Sequence, residues 1–184
     1  MPVNLPLGHL TDPAGPVGSP CRFMATVRSM SDAPTAITNL LYRYAELMDA
    51  GHLDECADLF ADAQVLLGDR TDGKPPVVDR DGLAAVWRSM VCLHEDGTPR
   101  TRHLVANPII EVANDGTTAT CRSTYTVFQQ VGSGPLQPII TGRYHDRFES
   151  VNGTWRFSER VYLMDLTGDL SSHLMGSLPG DVGG

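Results

Sequence analysis

The second half of the chain carries the pattern that most restricts its fold: four β-like segments separated by short turns that contain glycine. The segments cover 103–112, 118–131, 138–149 and 154–166, and the turns between them contain NDG, GSG and NG. Each turn places glycine where the backbone can take a positive φ, which is typical of β-hairpins. The pattern therefore predicts an antiparallel meander, in which consecutive strands are neighbours in one sheet.

The first half has helical periodicity instead. Apolar residues recur at helical spacing behind a Ser31-Asp32 cap and Pro34, which predicts a helix from Ala33 to Ala50 that Gly51 closes. A short helix is expected over 53–60, a strand in AQVLLG and a third helix in RDGLAAVWRSMVCL. Helices followed by an antiparallel meander indicate an α+β domain with the helices on one face of the sheet. Such a sheet can curl into a cone that holds a ligand.

The two ends of the chain differ from this central region. Residues 1–30 combine frequent proline and glycine with few apolar residues, so we expect a flexible N-terminal extension. Residues 167–184 show no clear period, and we expect a C-terminal tail that is disordered or forms a flap. The folded domain is thus predicted over 31–166, which suits a chain of 184 residues.

Charge and composition restrict the partners. The formal net charge of -8 at pH 7 argues against nucleic acid or an anionic membrane, because both bind basic surfaces. No segment reaches the apolar length of a membrane span and the N-terminus lacks a secretory signal, so we expect a cytoplasmic protein. The cysteines and histidines show neither zinc-ligand nor disulfide spacing, so no metal site is predicted. A small hydrophobic molecule is the expected ligand.

Several segments resemble SnoaL-like proteins of the nuclear transport factor 2-like superfamily. They are LLYRYAELMDAGHLDECADLFADAQV, TRHLVANPIIEV, TATCRSTYTVF and GRYHDRFESVNGTWRFSERV. The most similar branch contains scytalone dehydratase, bile acid 7α-dehydratase and lindane dehydrochlorinase, and the similarity covers about 35–166. The resemblance implies the nuclear transport factor 2-like cone, in which N-terminal helices pack in a strongly curved antiparallel sheet.

The resemblance also implies a catalytic pair. In this branch an aspartate that ends the first helix orients a histidine at the start of the next long strand, and Asp49 and His103 match these positions. Tyr44 matches the family tyrosine and Asn107 a family asparagine. On spacing alone Asp49 reads as a solvated helix end, but an anion is disfavoured there, which a histidine partner would relieve. A histidine held in one tautomer can take a proton from carbon beside a carbonyl and pass it to a departing hydroxyl, without metal or cofactor.

Two helper groups of the branch are not matched. Related dehydratases carry a second acid on the strand that here reads Thr124-Tyr125-Thr126-Val127, and their substrate-binding arginine is replaced around Met164. The remaining candidates for substrate binding are Tyr125, Tyr144, Asp146 and Arg160. Alternation along GRYHDRF places Tyr144 and Asp146 on one face, and by analogy with the family this face points into the cone. We expect Asp146 and Arg160 to form a pair that is structural rather than catalytic.

The leading hypothesis is a cofactor-free lyase or isomerase, dehydratase-like or cyclase-like, for a hydrophobic oxygenated cyclic molecule such as a polyketide or steroid. Apolar residues on both faces of the sheet favour a homodimer or homotrimer. The alternative is a non-catalytic subunit or ligand-binding module, such as the β subunit of a ring-hydroxylating dioxygenase. Epoxide hydrolysis ranks lower, because its Arg-x-Asp motif occurs only in the loop-like Arg70-x-Asp72.

Overall fold

A computed structural model describes residues 32–68, 73, 76–77 and 79–175. The predicted extension over 1–30, the Arg70-x-Asp72 motif and the last nine residues lie outside the described residues, so the expectations about them stay predictions. Within these residues, three helices and five strands follow one another as α1 (Ala33–Asp49), α2 (Leu53–Asp58), β1 (Gln64–Leu67), α3 (Arg80–Met90), β2 (Thr101–Val112), β3 (Thr118–Gln129), β4 (Gln137–Val151) and β5 (Thr154–Thr167).

The strands form one sheet in the order β1-β5-β4-β3-β2. β2 to β5 pair antiparallel with their neighbours in the sequence, which confirms the predicted meander. The short β1 adds to the far edge by pairing parallel with β5. The predicted α+β class, with N-terminal helices packed against a curved sheet, is confirmed.

Alternation along β4 explains how the sheet meets the helices. Tyr144, Asp146 and Phe148 are buried, whereas Arg143 and Arg147 are exposed on the other face. Period-2 alternation of this kind is expected where one face of a strand packs on a core. The inner face therefore carries both apolar and charged side chains into the interior.

Both ends of α1 are fixed by local hydrogen bonds. The Asp32 carboxylate accepts a hydrogen bond from the N–H of Thr35 at 2.9 Å, which caps the first turn. At the other end Gly51 adopts a φ of 76°, and the N–H of His52 donates to the carbonyl of Leu47 at 3.0 Å. This left-handed glycine stop ends the helix within two residues of Asp49. The carboxylate is thereby held at the point where α1 meets β2.

After β5 the chain returns to the helices. The segment 168–175, called here the C-terminal segment, is tied by backbone hydrogen bonds to the end of α3 and the residues after it. Cys92 N–H donates to the carbonyl of His173 at 2.8 Å, and Met175 N–H donates to that of Met90 at 2.9 Å. The side-chain amide of Gln129 donates to the carbonyl of Ser172 at 3.1 Å. These bonds fix the C-terminal segment between α3 and the end of β3.

Candidate active site

A cavity of about 430 Å³ lies between α1, α3, the inner face of the sheet and the C-terminal segment. Its volume falls within the range of roughly 300–1,000 Å³ that is usual for small-molecule sites. The lining is mainly apolar and aromatic, with a few polar groups, and consists of Tyr44, Met48, Leu67, Gly68, Trp87, Met90, Val91, His103, Tyr125, Val127, Ile140, Tyr144, Tyr162, Met164, His173 and Leu174.

Asp49 and His103 meet at the edge of this cavity. His103 Nδ1 lies 2.6 Å from Asp49 Oδ1, and the backbone N–H of His103 donates to Oδ2 at 2.8 Å. The hydroxyl of Thr101 donates to Oδ1 at 2.8 Å. Both the Asp49 and the His103 side chains are nearly buried, at 5% and 6% exposure. The pair that was predicted from the sequence is therefore formed, and its carboxylate has three donors.

These contacts determine the protonation state of the pair. Burial acts to raise the pKa of Asp49, but the hydrogen bonds and charge of His103, together with the Thr101 hydroxyl, outweigh it and hold that pKa below its usual value. Asp49 is therefore a carboxylate at neutral pH, and it selects the tautomer in which Nδ1 of His103 carries the proton. Nε2 is left as the basic nitrogen of a residue that lines the cavity.

Tyrosine rings form one wall of the cavity around a buried cation. The guanidinium carbon of Arg160 lies 4.4 Å from the ring centroid of Tyr44, 4.2 Å from that of Tyr144 and 5.6 Å from that of Tyr162. Tyr125 stacks on Tyr144 with centroids 4.3 Å apart. Burial raises the pKa of both Tyr44 and Tyr144 well above the ordinary value, so both hydroxyls stay protonated. The wall offers protonated hydroxyl groups and aromatic surface to a ligand.

Asp146 and Arg160 do not line the cavity, contrary to the prediction that they contact the substrate. Arg160 Nε and Nη2 each donate to one oxygen of Asp146 at 2.8 Å, and both side chains are fully buried. The guanidinium instead supports the tyrosine wall from behind through cation–π contacts. This agrees with the expectation that the pair is structural.

Asn107 also lies outside the cavity lining, contrary to its predicted role. It is exposed, with a φ of 53°, at a bulge where the pairing of β2 with β3 shifts between Ala106 and Ile109. Pro108 cannot donate a ladder hydrogen bond, which is why a bulge is favoured there. The bulge breaks the alternation that brings His103 and Val105 inward, so the asparagine turns away.

Besides His103, three predicted residues line the cavity, and others were missed. Tyr44, Tyr125 and Tyr144 contribute to the wall as expected, and Met164 lies at the position where the family arginine is replaced. His173 and Trp87 were not predicted as site residues. Trp87 belongs to the buried face of α3, where the helical period could have indicated it. No local signal marks His173, because only the return of the chain after β5 brings it to the site.

Other kinds of site are not found in the part of the chain that the structure describes. There, no group of three or more His, Cys, Asp or Glu side chains is arranged to hold a metal ion. Within the same residues, no helix is both long and apolar enough to cross a membrane.

We compared the chain with known protein families and with characterised proteins. The SnoaL-like domain family matches over residues 29–161, which is most of the chain and includes the Asp49–His103 pair. Among characterised sequences, the β subunit of the methanesulfonate monooxygenase hydroxylase of Methylosulfonomonas methylovora is 29% identical over 153 residues, covering 70% of this chain and 78% of that subunit.

Solved structures agree on the fold. A candidate scytalone dehydratase from Novosphingobium aromaticivorans superposes with a TM-score of 0.57 at 23% identity, covering 74% of this chain and 86% of that one. The β subunit of a candidate aromatic-ring-hydroxylating dioxygenase from the same organism gives a TM-score of 0.55 at 23% identity, covering 73% and 90%. The fold is thus shared by proteins described as enzymes and by oxygenase subunits.

Proposed function

The chain belongs to the SnoaL-like domain family, and on that premise we propose that it is a cofactor-free lyase or isomerase. Asp49 and His103 carry its proton transfers. The observation that supports this most is the 2.6 Å contact between His103 Nδ1 and Asp49 Oδ1 at the edge of the cavity. A histidine oriented by a carboxylate and positioned against a ligand cavity is the arrangement that general acid–base catalysis requires.

The proposed reaction is the elimination of water from a carbonyl compound that carries a β-hydroxyl group. His103 Nε2 takes a proton from the carbon beside the carbonyl, the C–H electron pair forms a C=C bond, and the C–O bond on the next carbon breaks. The leaving oxygen takes the same proton from the imidazolium and departs as water. His103 returns to its neutral form and Asp49 remains a carboxylate throughout, stabilising the imidazolium while it exists. Return of the proton to another carbon would give isomerisation instead.

The lining of the cavity limits the substrate class. Aromatic and aliphatic side chains dominate, and the polar groups are tyrosine hydroxyls and two imidazoles. Such a lining favours a hydrophobic ring system with a small number of oxygen functions over a highly charged molecule. Polyketide-like and steroid-like compounds are of this class.

A screen of cyclic β-hydroxy ketones tests the proposal. Dehydration would be followed by absorbance of the conjugated product and by mass spectrometry for the loss of water. Asp49→Asn and His103→Gln should abolish or strongly reduce turnover. His52→Gln is the matched control, because this histidine lies outside the cavity lining with a side chain 55% exposed. Turnover that survives His103→Gln would contradict the assigned role.

A second candidate function is that of a non-catalytic oxygenase subunit. It is favoured by the similarity to a methanesulfonate monooxygenase hydroxylase β subunit over more than two thirds of both chains. A subunit of this kind should be isolated with a larger iron-containing partner and should show no turnover of its own. The enzyme reading expects the chain to be active alone.

The enzyme is further proposed to be a homodimer or homotrimer associated through the outer face of the sheet. Leu104 on β2 and Leu166 on β5 are 55% and 71% exposed. Exposed apolar side chains on a sheet are commonly covered by a partner. Light scattering at micromolar concentration measures the mass, and a strict monomer would contradict this assembly.

A further inference from the structure

We propose that His173 is the second polar contact of the substrate in this cavity, donating a hydrogen bond to a carbonyl or hydroxyl oxygen while His103 handles the proton on carbon. This inference rests on the proposed function, since it concerns the same cavity. It assigns to the C-terminal segment the acid-like role that β3 does not supply. The expected substrate therefore carries two oxygen functions rather than one.

The position of His173 is the first argument. The residue lines the same cavity as His103 although the two are far apart in the sequence. Its backbone is held from both sides: its N–H donates to the carbonyl of Leu170 at 2.9 Å, and its carbonyl accepts from Cys92 at 2.8 Å. A fixed backbone limits the positions that the ring can take before a ligand arrives, which reduces the entropic cost of binding.

The second argument is the lack of a protein partner. His173 is 8% exposed, and its Nδ1 is fully buried with no hydrogen-bond partner among the described residues. A buried polar atom without a partner is costly, so such atoms call for an explanation in function or bound ligand. By contrast, Asp49 fixes Nδ1 of His103. His173 is thus the cavity imidazole that the protein has not committed to a structural hydrogen bond.

Electrostatics support a neutral donor rather than a second base. The pKa of His173 is lowered to about 4, chiefly by burial, with His103 and His94 adding to the lowering and Asp49 opposing it. The ring is therefore uncharged at neutral pH, where a neutral imidazole can still donate one hydrogen bond. Because His173 is uncharged, the negative charge of Asp49 stabilises only the imidazolium of His103. The two histidines can thus divide the work without mutual repulsion.

The cavity wall shows why a second group is needed. Thr124, Tyr125, Thr126 and Val127 of β3 contribute no acidic or imidazole side chain to the lining, and Met164 provides no charge. Abstraction of a proton beside a carbonyl builds negative charge on the carbonyl oxygen, and a donor placed at that oxygen stabilises the transition state. His173 offers an uncommitted ring nitrogen for that purpose, in addition to the Tyr162 hydroxyl, which also lines the cavity without a hydrogen-bond partner in the described part of the chain.

A binding experiment with a matched pair of probes tests the inference independently of turnover. The bicyclic ketone α-tetralone and its hydrocarbon analogue tetralin have the same ring skeleton but differ in the oxygen. Trp87 lines the cavity, so quenching of intrinsic fluorescence can follow both. His173→Phe keeps an aromatic ring without donors, His173→Gln restores a donor, and His52→Gln is the control. Thermal unfolding at pH 7.5 identifies any variant that fails to fold.

We expect His173→Phe to weaken α-tetralone binding by about tenfold, the usual effect of one hydrogen bond, while tetralin binding stays unchanged. His173→Gln should recover part of the loss. Equal loss for both probes, no loss for either, or a wild-type protein that binds neither would each overturn the inference. Because no turnover is measured, a preference for the ketone that depends on His173 would stand even if the lyase proposal failed in the substrate screen.

Discussion

Asp49 holds His103 at two points, through Nδ1 at 2.6 Å and through the backbone N–H at 2.8 Å. The imidazole can therefore neither rotate nor exchange tautomers without breaking a contact to the same carboxylate. An anion at the C-terminal end of α1 is unfavourable by itself. The hydrogen-bond donors at the start of β2 compensate for this unfavourable interaction. The Asp49 carboxylate is therefore stabilised by its contacts with the strand and not by its own helix.

A double-mutant cycle tests whether the two residues act as one unit. General-base contributions are on the order of 10²–10⁴-fold, so His103→Ala should lower turnover by about that factor and Asp49→Asn by a comparable one. The double variant should be scarcely slower than the slower single variant, because each change removes the same function. If the fold-loss of the double variant equals the product of the two single fold-losses, the residues act independently. Circular dichroism at neutral pH should show an unchanged fold in all three variants.

The ion pair Asp146–Arg160 should matter for stability far more than its surface counterpart. Removing one partner of a buried pair leaves an uncompensated buried group and typically costs about 3–5 kcal/mol. Asp146→Asn should therefore lower the free energy of unfolding in urea by about that amount. Arg143 and Asp165 form a similar two-point pair at the surface, where exposed pairs contribute only about 0–1 kcal/mol. Similar losses for Asp146→Asn and Asp165→Asn would contradict the structural role of the buried pair.

The glycine that ends α1 can be tested against a glycine in a turn. Gly51 and Gly97 have nearly equal φ angles of 76° and 77°, so alanine is strained at either position by about 1–2 kcal/mol. A Cβ at Gly51 would also lie 2.2 Å from the carbonyl oxygen of Gly97, whereas a Cβ at Gly97 would meet no atom within 4 Å. Gly51→Ala should therefore lower the melting temperature more than Gly97→Ala. Equal shifts would mean that the backbone relaxes around Gly51 at no cost.

Local patterns in the sequence predicted most of this fold. The alternation in GRYHDRF put Tyr144 and Asp146 on one face, because a strand packed on one side repeats every two residues, and the family resemblance indicated that this face points inward, where both residues are buried. The charge of Asp49 at a helix end needed an explanation, but it was the family resemblance that identified His103 as its partner. The local part of this evidence lay within a few residues of the feature that it predicted.

The failures have the opposite origin. The alternation that brings His103 and Val105 inward would also bring Asn107 inward. The bulge at Pro108 turns this side chain to the other face of the sheet, and the spacing of residues in the sequence does not reveal such a change. His173 depends on backbone hydrogen bonds to Cys92 and on the side chain of Gln129, which lies 43 positions from Ser172 in the sequence. Contacts over such distances leave no local periodicity. The missing β3 acid was visible in the sequence, whereas its proposed replacement in the C-terminal segment was not.

The burial of His173 predicts a distinct dependence of stability on pH. Its pKa is lowered to about 4 in the folded protein, whereas an unfolded histidine titrates near 6.5. Above pH 6.5 both states are neutral, so the group costs nothing. Between pH 6.5 and 4 the unfolded state binds a proton that the folded state does not. The free energy of unfolding therefore decreases as the pH is lowered through this range, by about 3 kcal/mol in total.

Replacing the imidazole should remove that part of the acid sensitivity. His173→Gln and the wild type should differ in the slope of unfolding free energy against pH between 6.5 and 4, with the wild type falling more steeply, as measured by urea unfolding at several pH values. Below about pH 4 the slopes should converge, because Asp49 and the other carboxylates are common to both proteins. His52→Gln should keep the wild-type slope, since its side chain is exposed in the folded protein. Parallel curves for wild type and His173→Gln would mean that the ring of His173 is solvated, and would remove the electrostatic support for a neutral donor in the cavity.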